Sequence, residues 1–332
     1  MVNMSKEHGM RKRNRTPVAC LGNRSGFTLI EILVVLAILA ILIGLLFPVL
    51  GGATRSARIT EVKTDMEKLS TAINAFKLEF GVEPPGSLTL SETGVWTAAA
   101  HSDLPRSRAE LRKIFPDFTF VATDFNGDGA NDPVVTLSGA ECLVFFLGGM
   151  RDPTSGALDS FSKNPVAPFR TGGSRFPTFY DFGVSGYDTV AGSWTGRLVD
   201  LDGDNFPELL DTIPGQLKPY LYFSTYGGKA YRTVAGNPSH PSLTVTPTWH
   251  NPENYNSASA ANGMPYPYYR TWNPASISGS TPHNKKSFQI ISPGFDYTYG
   301  VGGPFDPDKS GTLLAGEDRD NIVNFHGGLL EE

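Results

Sequence analysis

Near the C-terminus, oxygen-bearing side chains recur at alternate positions: Asp306, Asp308 and Ser310 hold the first, third and fifth places of one stretch, Gly311 the sixth and Glu317 the twelfth. This is the ligand order of an EF-hand loop, in which carboxylates and carbonyls supply six to eight oxygens to a calcium ion and glycine makes the sharp turn. The helices that flank an EF-hand are missing from the sequence. Gly300, Gly302 and Gly303 precede the stretch, and Asp318-Arg319-Asp320 follows it.

Two further stretches repeat the alternation. Asp124, Asn126 and Asp128 are followed by Gly129 at the turn and Asp132 at the ninth place, with Val135 where an EF-hand has Glu. Asp200, Asp202 and Asp204 are followed by Asn205 in the glycine position and Glu208 at the ninth place. Acids crowded into one turn repel unless a hard cation supplies the opposite charge, so calcium would order these loops. Solvated turns in which Asp and Asn bond their own backbone use the same residues without an ion. Both readings stay open for each loop.

Charge and composition exclude other chemistries. Residues 1–26 hold six of the 28 basic side chains and one of the 33 acidic ones, so the rest of the chain carries 22 basic and 32 acidic groups, a net charge of −10. That balance argues against nucleic acid as a partner, because phosphates need a basic footprint. The six histidines stand singly, without the HxH or HExxH spacing of a zinc site, and no nucleophile elbow or phosphate-binding loop occurs. No enzyme chemistry is expected. The two cysteines, Cys20 and Cys142, lie in the basic leader and in an apolar run, so a disulfide framework is not expected and Cys142 reads as a small buried hydrophobe.

The elements that would carry these loops begin with a long apolar run. From Ile32 to Leu50 every residue is apolar, Gly or Pro, the length needed to cross a bilayer as a helix. The basic segment before it predicts a cytoplasmic N-terminus and a C-terminal bulk on the far side. Glu31 opens this run. A carboxylate there is either a helix-end group at the headgroups, favourable to the helix dipole, or a functional acid with a partner inside the membrane.

The string Gly26-Phe27-Thr28-Leu29-Ile30-Glu31, followed by the apolar run and Pro48, resembles the signal of type IV pilins and type II secretion pseudopilins. The resemblance implies that a prepilin peptidase cuts between Gly26 and Phe27 and methylates Phe27. It also implies that Glu31 pairs with the N-terminal amine of a neighbouring subunit's Phe27 as a filament grows. Leu217-Lys218-Pro219-Tyr220 and the segment Ile291–Asp296 with Gly316–Ile322 resemble the strand entry and C-terminal calcium loop of the major, G-type pseudopilin. In that reading Asp296, Asp318 and Asp320 compete with the EF-hand-like set as ligands. Residues 87–210 have no counterpart in the compact form of that family.

The sequence therefore predicts an α+β, type IV pilin-like fold: a long N-terminal helix, membrane-spanning and then amphipathic, packed on a small antiparallel sheet with long loops. The expected parts are a leader (1–26), a transmembrane and assembly helix (27–50), a stem (51–82) and a globular periplasmic head (83–332). The head would carry insertions at about 87–210 and 233–286 and a calcium loop at about 292–322. In the stem, Ile59, Val62, Met66, Leu69, Ile73, Phe76 and Phe80 recur every three or four residues as one buried stripe, with Lys63, Asp65 and other charges on the outer faces. Pro48 and Gly51-Gly52 are expected kink points, and Gly81 with Pro84-Pro85 ends the stem. Ser107 is available to cap a helix over 107–115, and 138–148 reads as a second helix. Strands are expected at 219–225 and 287–292. Residues 233–286 read as a surface excursion.

The resemblance implies a structural subunit of a type II secretion pseudopilus in the bacterial inner membrane. Its partners would be copies of itself, other pseudopilins, the inner-membrane platform and the prepilin peptidase. A surface-exposed or adhesive type IV pilin-like subunit, and an anchored calcium-binding protein that never polymerises, are the alternatives.

Overall fold

The structure is a computed structural model. It describes residues 26–183, 185–225, 267–271, 281–300, 302–307, 314 and 316–330, with the side chains of 45–50 excepted. The chain divides into two units, Met1–Ala53 and Thr54–Glu332, and helix α1 (Leu29–Phe80) supplies residues to both. Through Pro48 and Gly51-Gly52 the helix assignment is unbroken.

Within the second unit the stem stripe is buried as its spacing predicts. Val62, Met66, Leu69, Ile73 and Phe76 are at most 1% exposed, and Ile59 and Phe80 pack partly buried against the same core. Burial of each such side chain stabilises by roughly 1.5–3 kcal/mol, which holds this half of α1 in place. Phe76 and Phe80 then meet Phe115, Phe146, Phe176 and Phe179 largely edge to face, with ring centroids 5.3–6.0 Å apart. The helix stops at Gly81, whose φ of 78° lets its N–H reach back to the Lys77 carbonyl at 2.8 Å.

Two polar stem residues depart from the expected solvent-facing pattern. Asp65 is 5% exposed and accepts the Tyr180 hydroxyl at 2.6 Å, the Tyr220 hydroxyl at 3.0 Å and the Arg197 guanidinium. Lys63 is half-buried and donates to the Val323 and His326 carbonyls. Burial pulls its ammonium down to about 8, against the opposing pull of Glu67. Both sit beside the apolar stripe on a helix whose outer layers arrive from distant sequence, so charge alone did not place them in water.

β1 (Leu88–Leu90) and helix α2 (Leu104–Ile114) follow the stem. α2 begins earlier than expected, because Pro105 supplies a preset φ in its first turn and Asp103 takes the cap position. Ser107 is therefore no cap: it lies buried inside α2, and its hydroxyl accepts the Thr89 N–H at 2.9 Å. β2 (Val135–Leu137) pairs antiparallel with β1.

Helix α3 (Gly139–Gly148) is buried along nearly its whole length, which explains a composition apolar on every face. Ser138 caps it with Glu141 in a reciprocal box, as the sequence pattern of that segment allows. A Cβ on Gly139 would stand 2.0 Å from the Tyr222 carbonyl oxygen, so only glycine permits this approach of helix to strand. Cys142 is fully buried.

The remaining strands are short. β3 (Met150–Arg151) pairs with β4 (Leu158–Asp159), β5 (Tyr187–Asp188) with β6 (Ser193–Trp194), and β7 (Leu198–Val199) with β8 (Glu208–Leu209), all antiparallel. β9 (Leu221–Ser224) and β12 (Phe288–Ser292) form an antiparallel pair in which Ile291 faces Leu221 and Phe288 faces Ser224, both within the expected strand regions. β14 (Ile322–Val323) extends that sheet on the far side of β12. β10 (Tyr268–Thr271) pairs antiparallel with β11 (Thr281–Pro282) and parallel with β13 (Gly303–Pro304).

β10 corrects the surface reading of part of 233–286. Tyr268 and Tyr269 are at most 2% exposed, and the fully buried Gln289 side chain accepts the Tyr268 N–H and donates to its carbonyl. The rest of that stretch, up to residue 266 and over 272–280, lies outside the described residues. The chain is thus α+β, with small and mainly antiparallel sheets around a largely aromatic core.

Candidate functional site

Two sites emerge, an apolar helix start and a group of acidic loops. At the first, Thr28 and Glu31 form a reciprocal cap on α1. The Thr28 N–H and hydroxyl donate to Glu31 Oε2 at 2.7 and 2.8 Å, and the Glu31 N–H donates to Thr28 Oγ1 at 3.3 Å. In the single chain Glu31 is thus a helix-end group satisfied by its own first turn. Phe27 is 81% exposed, and every large apolar side chain from Leu29 to Ile43 is at least 46% exposed. A helix apolar all round with no protein packed on it requires lipid or other helices around it. Among the described residues, no helix is long and apolar enough to cross a membrane; the side chains of 45–50, which complete the run, lie outside them.

The second site is built on turns. Asp124 accepts the Gly127 N–H at 2.6 Å and the Gly129 N–H at 2.9 Å, Asn126 accepts Asp128, and Asp128 accepts Ala130. The other loop, held between β7 and β8, repeats the pattern. Asp200 accepts Gly203 at 2.7 Å and Asn205 at 3.0 Å, Asp202 accepts Asp204, and Asp204 accepts Phe206. Gly129 and Asn205 take the equivalent left-handed position with φ of 87° and 67°, which explains how Asn can stand where the sequence pattern calls for Gly. The Asn126 amide donates to the Asp204 carbonyl at 2.9 Å and ties the two loops together.

Glu92, unremarkable in the sequence, closes the first loop. It is fully buried and accepts the Phe125 N–H at 2.7 Å and the Asp132 N–H at 2.9 Å, while burial raises its carboxyl above the usual range. Glu208 is also fully buried.

Glu141 is the residue the loop pattern could not reveal. It enters from the first turn of α3, fully buried, with one oxygen accepting the Ser138 N–H at 2.6 Å. Ligand oxygens of Glu141, Asp202 and Asp204 lie within 4.8 Å of one another, the one such group of three among the described residues. Burial, followed by the charges of Asp202 and Asp200, pushes the Asp204 carboxyl up to about 8, against hydrogen bonds from Phe206 and Glu141. Three carboxyls this close, one of them held protonated near neutrality, form a donor set of hard oxygens that could hold a metal ion.

The C-terminal acids are arranged differently. Asp320 accepts the Phe295 and Asp296 N–H groups at 2.7 and 2.9 Å, and Asp296 accepts Thr298. Burial first, and then Asp320 and Glu317, raise the Asp296 carboxyl to about 6, with Lys218 opposing. Asp318 is turned inward, where its Oδ1 accepts the Tyr268 hydroxyl at 2.7 Å and the Gly302 N–H at 2.8 Å. Glu317 lies on a short turn of 3-10 helix, Gly316–Asp318, and Asp306 is partly buried next to Phe305. Asp308 and Ser310 lie outside the described residues.

Residues 21–47 match the prokaryotic N-terminal methylation motif. The motif and the relative below support a likeness of the N-terminal segment to type IV pilins and G-type pseudopilins. The chain is similar to the type II secretion system core protein G of Pseudomonas aeruginosa, 41% identical over 56 residues, which are 17% of this chain and 39% of that protein. It thus spans well under half of that relative's length. No solved structure matches the chain.

Proposed function

We propose that this protein is a structural, non-catalytic subunit of a type II secretion pseudopilus with a pilin-like fold. The observation that carries the reading is the methylation motif over 21–47, together with an apolar start of α1 whose large side chains from Leu29 to Ile43 all lie exposed. A prepilin peptidase cuts between Gly26 and Phe27 and methylates the new N-terminus. The helix from Phe27 to about residue 50 lies in the inner membrane, with the basic leader cytoplasmic and the head periplasmic. Polymerisation then surrounds the apolar helices with one another, beside other pseudopilins on the inner-membrane platform.

Glu31 exchanges partners in this scheme. A freed α-amine, with an ordinary pKa of about 7.7–8.0, is cationic at neutral pH and neutralises a neighbouring subunit's carboxylate inside an apolar surround. Thr28 holds that carboxylate at the helix start until the amine arrives. Glu31→Ala is expected to leave cleavage after Gly26 intact and to lower filament yield at least roughly tenfold, the effect of about 1.4 kcal/mol lost per subunit contact. Sheared-filament yield, measured beside the processed fraction, tests this. Wild-type yield from the mutant contradicts the pairing.

The acidic loops hold calcium in this reading. Glu141, Asp202 and Asp204 are the residues that would bind it, and an ion there supplies the positive charge their mutual repulsion lacks. Its role is to stiffen the acidic turns that Phe125 and Phe206 anchor to the core.

A further inference from the structure

Among its described residues, the second unit carries a basic, apolar patch. Arg108 and Arg112, one turn apart on α2, are exposed, and both guanidiniums stand over the Phe120 ring, at 4.9 and 5.1 Å from its centroid. Neither makes an ion pair among the described residues. Around them lie Val95, Val121 and Val166, each 47–59% exposed. Their backbones are contiguous: a Cβ on Gly94 would stand 2.8 Å from the Ala122 nitrogen, and Thr119 donates to the Val166 carbonyl at 3.1 Å. Arginines stacked on an aromatic ring beside exposed aliphatic groups have the composition of an interface core.

A complement is present on the same unit. The β5–β6 hairpin projects a tip in which Asp188 accepts the Val190 and Ala191 N–H groups at 2.8 and 3.0 Å, leaving Val190 97% exposed. Its base is braced: Tyr187 meets Trp194 edge to face at 5.4 Å, and the Arg151 guanidinium lies 4.0 Å over the Tyr187 ring. A tip bearing an acid and a bare aliphatic side chain matches, in charge and polarity, two arginines that make no ion pair among the described residues and stand among valines.

We infer that the patch around Phe120 is a docking surface for a second copy of this chain, whose Asp188–Val190 hairpin tip it receives. Two different surfaces that meet in a heterologous contact generate an open helical array when their rotation does not close into a ring, the symmetry a filament needs. The inference rests on the assembly proposed above and adds to it a heterologous contact between the globular parts of neighbouring subunits. It also assigns a role to part of residues 87–210, the stretch without a counterpart in the compact family form.

The test uses the full chain in its native membrane. Val121→Cys and Val190→Cys are combined in a Cys20→Ser background and treated with a short bismaleimide; Cys142 is buried and does not compete. A separate Leu39→Cys chain reports packing of the apolar helices. A ladder of dimers, trimers and longer species that needs both head cysteines supports the inference. Arg108→Glu with Arg112→Glu is then expected to weaken that ladder at least roughly tenfold, while the two Arg→Lys changes keep most of it. Helix cross-linking at residue 39 without a head ladder overturns the docking surface and leaves the assembly standing. Failure of both overturns both.

Discussion

Asp65→Ala is expected to destabilise the head by roughly 2–4 kcal/mol, the cost of leaving buried donors without their acceptor, with the Arg197 pair discounted because that side chain is 32% exposed. The carboxylate is 5% exposed on the stem and holds the ends of three distant segments. Tyr180 and Tyr220 donate their hydroxyls to it, and the Arg197 guanidinium, itself fixed on the Leu210 carbonyl at 2.9 Å, faces it. Burial and the nearby carboxylate raise both tyrosine hydroxyls above their ordinary range, so they stay protonated donors. Removing the carboxylate leaves two buried hydroxyls without their acceptor and a partly exposed guanidinium held by the Leu210 carbonyl alone. Against a typical total stability of about 5–15 kcal/mol the loss is large. Tyr180→Phe, which removes one hydrogen bond and little volume, is expected to cost about 1 kcal/mol. Urea denaturation of the full chain in detergent, followed by tryptophan fluorescence, separates the three proteins. Equal midpoints for wild type and Asp65→Ala would refute the clamp.

Calcium is expected to raise the melting temperature of the head, and chelation to reverse the rise. A site of roughly 0.1–1 mM affinity, saturated one to two orders of magnitude above its Kd, stabilises by about 1.4–2.7 kcal/mol. For a unit of this size that is roughly 3–10 °C. Asp202→Asn with Asp204→Asn removes two of the three clustered carboxylates and is expected to abolish the shift while sparing the chelated protein. Acidity gives a second reading of the same site. Asp204 titrates near 8 in the folded chain and far lower when unfolded, so in chelator the folded state holds the proton that the unfolded state has lost. Stability of the chelated protein therefore falls as pH rises from about 4 to 8, by an amount on the order of a few kcal/mol at most. Bound calcium competes with that proton, so the slope is expected to flatten in calcium. An identical melting temperature with calcium and with chelator, at pH 8, would contradict the site.

The parts of the fold set by local periodicity were legible in the chain. The stripe from Val62 to Phe76, the helix over 138–148, the stop at Gly81 and strands β9 and β12 each follow from spacing within one element. What stayed hidden depends on neighbours brought from far along the chain. Asp65 and Lys63 look like solvent-facing charges until Tyr180, Arg197 and the 323–326 carbonyls close over them. Ser107 looks like a cap until Pro105 moves the helix start forward. The acidic loops were visible as alternating oxygens, and their two hydrogen-bond patterns are matched turn for turn. Glu141 was invisible as their neighbour, because only the packing of α3 against β8 brings it to Asp204.

The apolar run and Glu31 raised the question on which the functional account turns. The measurement that tests it most directly is the intact mass of the protein extracted from membranes of a cell that contains a prepilin peptidase. The account predicts a chain that begins at Phe27 and carries one added methyl group. A chain that retains residues 1–26 would contradict the processing, and filament assembly through Glu31 would fall with it.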